Sequence, residues 1–297
     1  MRKSVLILSV IFLIVGSFQF PSVADGERLL PDRSSMNKGD WYVDGTERYQ
    51  STEIELSGNL TVNGTLILDD VDLIVNNTDV SIGIIINNRG KMTLRNGSRI
   101  TYQGTSKYYI NIRERSSMEI FDSEVTGAGL NSNEQFLNGI YANGATIDVN
   151  NSFISRGQIG IISNNSQVDI NGSDIHDMAS GGVVLKNSST AKLTQTNLTY
   201  CGMLGMDLID SSAILDTVRI DESIKALETL NGELDIDNCL ISSIDNVCMV
   251  VNSSEMDIKD TYFPLPGNDV ITVTYPLGAS SNVSLLNSTP GKVLVDD

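Results

Sequence analysis

Apolar and polar residues along this chain follow a repeat of 21–23 residues. A glycine or small residue is followed by several apolar positions and then by Asn or Asp, as in G-I-Y-A-N-G at 139–144 and G-I-I-S-N-N at 160–165. Copies start at residues 139, 160, 182, 205, 226, 247 and 270, which are 21, 22, 23, 21, 21 and 23 residues apart. So regular a period is typical of a solenoid, in which each repeat forms one coil.

Each repeat contains three short segments in which apolar and polar residues alternate, which is the period-two pattern of a β-strand. The second segment follows the first by about eight positions, at 147–149, 168–170, 234–236 and 256–258, and a third apolar point follows, as at Ile154 and Ile175. Three short strands cannot bury their inner faces alone, but stacked coils share one continuous core. We therefore predict an all-β chain that forms a single right-handed parallel β-helix over residues 53–297, with about ten turns of 21–23 residues.

The first 52 residues do not follow the repeat. Arg2 and Lys3 precede an apolar run over residues 5–15, and small residues follow at 22–24, so we predict a signal peptide over 1–24 with cleavage after Ala24. An uncleaved N-terminal anchor is the alternative. Residues 25–52, which include the only tryptophan, Trp41, are expected to cover the N-terminal end of the coil. The polar stretch 126–138 is expected to project as a loop.

Asn or Asp recurs at one corner of the predicted coil. Asn tolerates the left-handed backbone conformation that a sharp corner needs, and stacked amides can hydrogen-bond to one another. We therefore interpret these residues as a structural corner ladder. Its members are Asn88, Asn165, Asn187, Asp210, Asn231 and Asn252.

The repeats resemble those of a known group. The copies from Gly139 to Asn252 look like the repeats of the carbohydrate-binding and sugar-hydrolase class of right-handed parallel β-helix proteins. The stretches W-Y-V-D-G-T-E at 41–47 and L-S-G-N-L-T-V-N-G-T-L-I-L-D at 56–69 are similar to exported archaeal β-helix proteins, especially of thermoplasmatal and marine euryarchaeal lineages. The resemblance implies the fold strongly and the function weakly, because one fold hosts many functions. Such relatives often carry β-sandwich modules or a membrane anchor after the helix, so a fragment of a longer protein is one alternative.

The net charge of −17 restricts the partners. Such a surface repels nucleic acid and anionic membranes, and it suits cations, neutral sugars or an acidic cell surface. Cys201, Cys239 and Cys248 lie far from any C-x-x-C spacing, so we expect buried small side chains, with one disulfide as the alternative.

Asn-x-Ser/Thr is the most frequent local motif. In an exported protein this motif is an acceptor for N-linked glycans, and we expect several copies to be glycosylated. The twelve candidates are Asn59, Asn63, Asn76, Asn96, Asn150, Asn164, Asn171, Asn187, Asn197, Asn252, Asn282 and Asn287.

Acidic residues form a predicted column on the outer face of the second strands. Aligning those strands places Thr93, Glu119, Asp148, Asp169, Lys192, Ile214, Asp235 and Asp257 at one outward position. Stacked carboxylates repel, and Ca²⁺ bound by Glu119, Asp148 and Asp169 would relieve that repulsion. Alternatively, paired carboxylates suit a glycosidase, and a solvated polar face is the third interpretation. The residues that we predict to bind substrate on this face are Asp148, Asn150, Asp169, Asn171, Asp235, Asp237 and Asp257.

Several motifs of catalysis are missing. His176 is the only histidine, and neither the Gly-His and Arg-x-Lys elements of pectin hydrolases nor the basic clusters of pectate lyases occur. The sequence therefore favours a secreted or cell-surface scaffold that is not catalytic and that binds glycans or cell-surface proteins, with no nucleic acid partner. A polysaccharide lyase or glycoside hydrolase and a structural envelope component are the alternatives. Membrane contact is expected only through an uncleaved N-terminal segment or a region missing from the C-terminus.

Overall fold

A computed structural model describes residues 28–29, 36–77, 81–104, 108–245, 247–264, 270–274, 281–288, 290 and 292–296. Over these residues the chain forms a parallel β-coil of about eleven turns, and the predicted fold class is confirmed. The signal peptide predicted for 1–24 lies outside the described residues. The described part of the chain holds no helix of the length and apolarity that a bilayer crossing needs.

The strands stack into three ladders, which we call the first, second and third ladder in the order in which each coil visits them. The first ladder contains Trp41–Val43, Leu60–Val62, Gly83–Ile86, Tyr109–Ile112, Ile140–Asn143, Ile159–Asn164, Gly181–Lys186, Leu204–Ile209, Lys225–Leu230, Val247–Asn252, Val270–Thr274 and Lys292–Asp296. The second contains Lys91–Arg95, Ser117–Phe121, Thr146–Asn150, Gln167–Asn171, Thr190–Thr194, Ser212–Asp216, Glu233–Asp237, Glu255–Lys259 and Asn282–Leu286. The third contains Met36–Lys38, Arg99–Gly104, Glu124–Thr126, Phe153–Ser155, Asp174–His176, Asn197–Thr199, Arg219–Asp221 and Leu240–Ile241.

Two long strands, Thr46–Leu56 and Thr65–Asn77, run through both the second and the third ladder. The short strand Arg28–Leu29 pairs with residues 47–48, and Gln135–Leu137 forms a 3-10 helix. Trp41–Val43 pairs in parallel with Leu60–Val62, so the ladders begin before residue 53. The capping role of residues 25–52 stays a prediction. In the predicted loop 126–138, residues 126–129 are buried beside the third ladder, and 131–136 hold most of the exposed positions.

The core fills the inside of the coil because alternate residues of each strand point inward. In Ser212–Asp216, Leu215 is fully buried, whereas 49% of Ile214 is exposed. Leu215 stacks between Leu193 and Ile236 of the neighbouring coils. Columns of this kind run the length of the coil and form one continuous hydrophobic cluster.

The corner between the first and second ladders turns through residues with positive φ, as predicted for Asn165, Asn187, Asp210 and Asn231. At the other two predicted positions the left-handed residue comes one place later, because Arg89 and Ser253 have positive φ and Asn88 and Asn252 do not. The side-chain hydrogen bonds of the predicted ladder are displaced only in part, because Asn231 Nδ2 donates to Asp210 Oδ1 at 3.0 Å between two predicted members. Asn187 Nδ2 donates to Asn164 Oδ1 at 2.6 Å, and Asn164 Nδ2 donates to Asn143 Oδ1 at 2.9 Å, which places Asn164 rather than Asn165 in the ladder.

The corner between the second and third ladders is held by buried hydroxyl groups. Ser173 Oγ accepts a hydrogen bond from the Ser152 N–H at 3.1 Å and donates to the Asn171 carbonyl at 2.9 Å. Cys239 stands at the equivalent place three coils later, where its Sγ accepts from the Val218 N–H at 3.3 Å. All three cysteines are buried, and burial raises the pKa of the Cys239 thiol to about 11. Cys201 and Cys239 therefore serve as small buried side chains at corners, and Cys248 serves as one inside the strand Val247–Asn252.

Candidate functional site

The predicted acidic column exists on the outer face of the second ladder. The strand pairings place its eight members in one register, from Thr93 through Glu119, Asp148, Asp169, Lys192, Ile214 and Asp235 to Asp257. Neighbouring strands lie about 4.8 Å apart, so the carboxylates are stacked. Proximity and burial act together on Asp148, whose pKa is raised by burial and by the charges of Asp169 and Glu119.

The carboxylates of the column do not point toward a common centre. Glu119 turns toward the preceding coil, where its carboxylate accepts from Lys91 Nζ at 2.6 Å and from Thr93 Oγ1 at 3.0 Å. Asp148 accepts from Asn150, which in turn accepts from Asn171 Nδ2 at 3.3 Å. Within the described residues, no three acidic, histidine or cysteine side chains are grouped closely enough to hold a metal ion. The structure therefore does not assemble the three predicted Ca²⁺ ligands into a site.

The C-terminal half of the same face is open. Asp235 and Asp257 are exposed and directly adjacent in register. Asp237 lies two positions further along, and Lys259 Nζ approaches it at 3.5 Å. A substrate-binding role for these residues stays a prediction.

The predicted glycan acceptors are spread over all three corners and all three ladders. For nine of the twelve, the amide nitrogen that would carry the glycan donates a hydrogen bond to another side chain. Asn59, Asn252 and Asn282 are the other three. Glycosylation stays a prediction for all twelve.

A long groove follows the corner between the first and second ladders, and the sequence analysis missed it. One section, of about 750 Å³, extends from Ser188 to Asn282, and a second, of about 420 Å³, extends from Arg115 to Thr190. Both sections include Ser188 and Thr190, so they are continuous. Together they cross eight coils, or roughly 34 Å at the spacing of parallel strands.

The wall of this groove on the second ladder is one register column of polar residues. Its members are Ser117, Thr146, Gln167, Thr190, Ser212, Glu233, Glu255 and Asn282. The corner residues opposite include Arg115, Asn165, Ser188, Asp210, Asn231 and Ser253. Six of the eight coils therefore place a pair of polar side chains along the groove.

The floor of the groove is structural. Ser166 Oγ accepts from the Ala145 N–H at 3.0 Å and donates to the Asn164 carbonyl at 2.8 Å, and Ser189 Oγ accepts from the Ser166 N–H at 3.2 Å. These hydroxyl groups are committed to the backbone. Hydrogen bonds to a ligand must therefore come from the walls.

A pair of carboxylates on the outer face of the first ladder was also missed. Asp207 and Glu228 are adjacent in register, between Val184 and Val250. Lys225 Nζ lies 3.3 Å from Glu228 Oε2. Burial, and then the charge of Glu228, raise the pKa of Asp207 to about 6. A signal existed in the sequence, since extending the outward register to the first strands would have aligned the two acids.

Asp207 should make a contribution to stability that depends on pH, and Asp207→Asn should remove that contribution. Folding raises the pKa of Asp207 from 3.8 to about 6. The contribution of this carboxyl group to the free energy of unfolding is therefore fully present below pH 3.8 and is lost as the pH rises through about 6. Asp207→Asn should therefore raise the unfolding temperature at pH 7 and leave it nearly unchanged near pH 4. Thermal unfolding at both pH values measures this difference. The exposed Asp257→Asn serves as the control, and an equal gain from both variants would contradict the burial of Asp207.

Comparison with known proteins agrees with this architecture. The family described as "Right handed beta helix region" matches residues 159–264, about a third of the chain. Two solved structures of the periplasmic alginate epimerase AlgG are similar. A single-substitution mutant has a TM-score of 0.57 at 11% identity, covering 83% of this chain and 76% of that one. A double mutant has a TM-score of 0.50 at 10% identity, covering 84% and 77%.

The predicted right-handed parallel β-helix is confirmed. At these identities the likeness shows the fold alone. No curated protein matches the sequence.

Proposed function

We propose that this protein is an exported, non-catalytic scaffold that binds an extended glycan in the groove between the first and second ladders. One observation carries the proposal: a continuous groove presents similar polar side chains at the spacing of the coils over eight coils. A polymer with a repeating unit meets the same kind of contact at each step. Export rests on the signal peptide predicted for residues 1–24.

The chemistry of the walls favours a sugar over other polymers. Hydroxyl, amide and carboxylate groups line the groove, and Ala145 is the only residue with an apolar side chain among its lining residues. A peptide would need apolar pockets for its side chains, and the net charge of −17 repels nucleic acid. Sugar hydroxyls both donate and accept hydrogen bonds, and so do the wall residues Thr190, Ser212 and Asn231.

Blocking the groove tests this proposal. In the double variant Thr190→Trp/Ser212→Trp, two bulky rings project into the middle of the groove from adjacent coils. We expect a loss of at least about tenfold in affinity for whichever hexasaccharide the wild-type chain binds, because each wall contact contributes about one hydrogen bond. Isothermal titration calorimetry with neutral, amino-sugar and uronic acid hexasaccharides measures the affinity.

The matched control is Asp235→Asn/Asp257→Asn, on the outer face of the same ladder. These residues lie outside the groove, so their replacement should leave glycan affinity within about twofold. If the control variant loses binding and the groove variant retains it, the glycan site lies on the acidic column instead. If no hexasaccharide binds the wild-type chain, the proposed function is wrong.

A second candidate function is hydrolysis of a glycosidic bond at Asp207 and Glu228. The observation that favours it is the difference in environment between the two acids, one half-buried with a pKa of about 6 and the other paired with Lys225. A carboxyl group with a raised pKa beside a second carboxylate is the arrangement of an acid and base pair. Release of shorter sugars from the same hexasaccharides would separate hydrolysis from binding.

A further inference from the structure

The two sections of the groove differ in charge. The section from Ser188 to Asn282 is lined by Asp210, Glu233 and Glu255, and no Lys, Arg or His is among its lining residues. In the section toward the N-terminus, Arg115 is the only charged lining residue. A glycan that follows the whole groove therefore contacts carboxylates in the C-terminal section only.

The carboxylates in this section are available to a ligand. Glu233 and Glu255 are exposed and face the groove at the same register position on adjacent strands. Neither carboxylate has an ion pair or a hydrogen bond with a side chain in the part of the chain that the structure describes. Asp210 accepts one hydrogen bond, from Asn231 Nδ2 at 3.0 Å, which leaves acceptor capacity on its carboxylate.

Like charges that lie opposite each other on adjacent strands destabilise one another. A cation between Glu233 and Glu255 would relieve that repulsion. The hydroxyl groups of Ser188, Ser212 and Ser253 line the same section, where they can bind hydroxyl groups of the ligand that carries the cation. A ligand that uses both the two carboxylates and the row of hydroxyl groups is a hydroxyl-rich polymer that carries a positive charge. An ammonium group on a sugar ring satisfies this requirement.

We propose that the C-terminal section of the groove selects glycans with free amino groups, and that polymers of uronic acids are excluded from it. This inference rests on the proposed glycan-binding function and specifies its ligand class. The ammonium group of an amino sugar binds between Glu233 and Glu255, while the hydroxyl groups of adjacent sugars bind the Ser and Thr side chains of the walls. Uronate carboxylates are repelled by the same two acids.

The test compares hexamers of glucosamine, N-acetylglucosamine and galacturonate by calorimetry with the full chain. The pH is mildly acidic, so that the sugar amines are protonated, and the salt concentration is low. We expect the glucosamine hexamer to bind about tenfold more tightly than its acetylated counterpart, since two exposed ion pairs contribute a factor of this size. Added salt should reduce the preference, and the galacturonate hexamer should bind most weakly.

Two double variants locate the preference. Glu233→Gln/Glu255→Gln should bind both glucosamine hexamers equally, and Asp235→Asn/Asp257→Asn should keep the tenfold difference. The second variant removes the same charge from the same two strands, two residues away and outside the groove. A general attraction of the acidic protein for cations would lower the preference equally in both variants.

Each outcome separates this inference from the function on which it rests. If both glucosamine hexamers bind the wild-type chain with equal affinity, the groove is a glycan site without selection for amino groups, and this inference is wrong. Equal loss in both double variants overturns it as well. If none of the three hexamers binds, the proposed function fails together with the inference.

Discussion

Leu215→Ala should lower the free energy of unfolding by about 2–5 kcal/mol, whereas Ile214→Ala should change it by less than about 0.5 kcal/mol. The two residues are neighbours in the strand Ser212–Asp216 and differ in which way they point. Leu215 is fully buried between Leu193 and Ile236, so its truncation leaves a cavity in the core column. Ile214 is 49% exposed on the outer face between Lys192 and Asp235.

Urea unfolding followed by circular dichroism measures both changes. The pair is a direct test of register, because a slip of one residue exchanges the inward and outward sets. Under such a slip Ile214→Ala would become the costly substitution. A large effect of Ile214→Ala would therefore contradict the alignment on which the acidic column and the wall of the groove both depend.

Ser173→Ala should lower the free energy of unfolding by about 1–3 kcal/mol, even though it removes a single oxygen atom. The hydroxyl group accepts from the Ser152 N–H at 3.1 Å in a corner that is closed to water. Without it, a buried backbone donor has no acceptor, and the desolvation cost of that donor is not recovered. The same urea titration measures the loss.

Ser173→Cys is the matched control for this substitution. Cys239 already fills the equivalent corner, where its sulfur accepts from the Val218 N–H and donates to the Asp237 carbonyl at 3.1 Å. A thiol at position 173 should therefore recover most of the stability that alanine loses. If alanine and cysteine are equally destabilising, the hydroxyl group acts through its size rather than through its hydrogen bonds.

The stacking of the second ladder could be predicted because apolar and polar residues alternate without interruption along its strands. Leu234 and Ile236 flank Asp235, and Met256 and Ile258 flank Asp257, so the outward column follows directly from the sequence. The first ladder is less regular. Gly205 and Met206 are both buried before Asp207 points outward, and this break in alternation concealed the pairing of Asp207 with Glu228.

At the corners, the sequence could not assign the roles of neighbouring asparagines. Asn165 and Asn164 are equally suited to a left-handed turn and to an amide ladder, and only the path of the backbone assigns one role to each. The groove was missed because its residues are ordinary Ser, Thr and Asn. They form a groove only when successive coils stack at the corner between two ladders, which no single repeat contains.

The parallel strands also determine how the molecule bears force. Hydrogen bonds between coils run nearly along the axis of the coil, since they are perpendicular to the strands. Tension along that axis puts the same force on every interface between coils, so the weakest interface separates first and the coils come apart one after another. A polymer lying in the groove and pulled sideways would instead load several coils at once, and the rod would resist that pull as a whole.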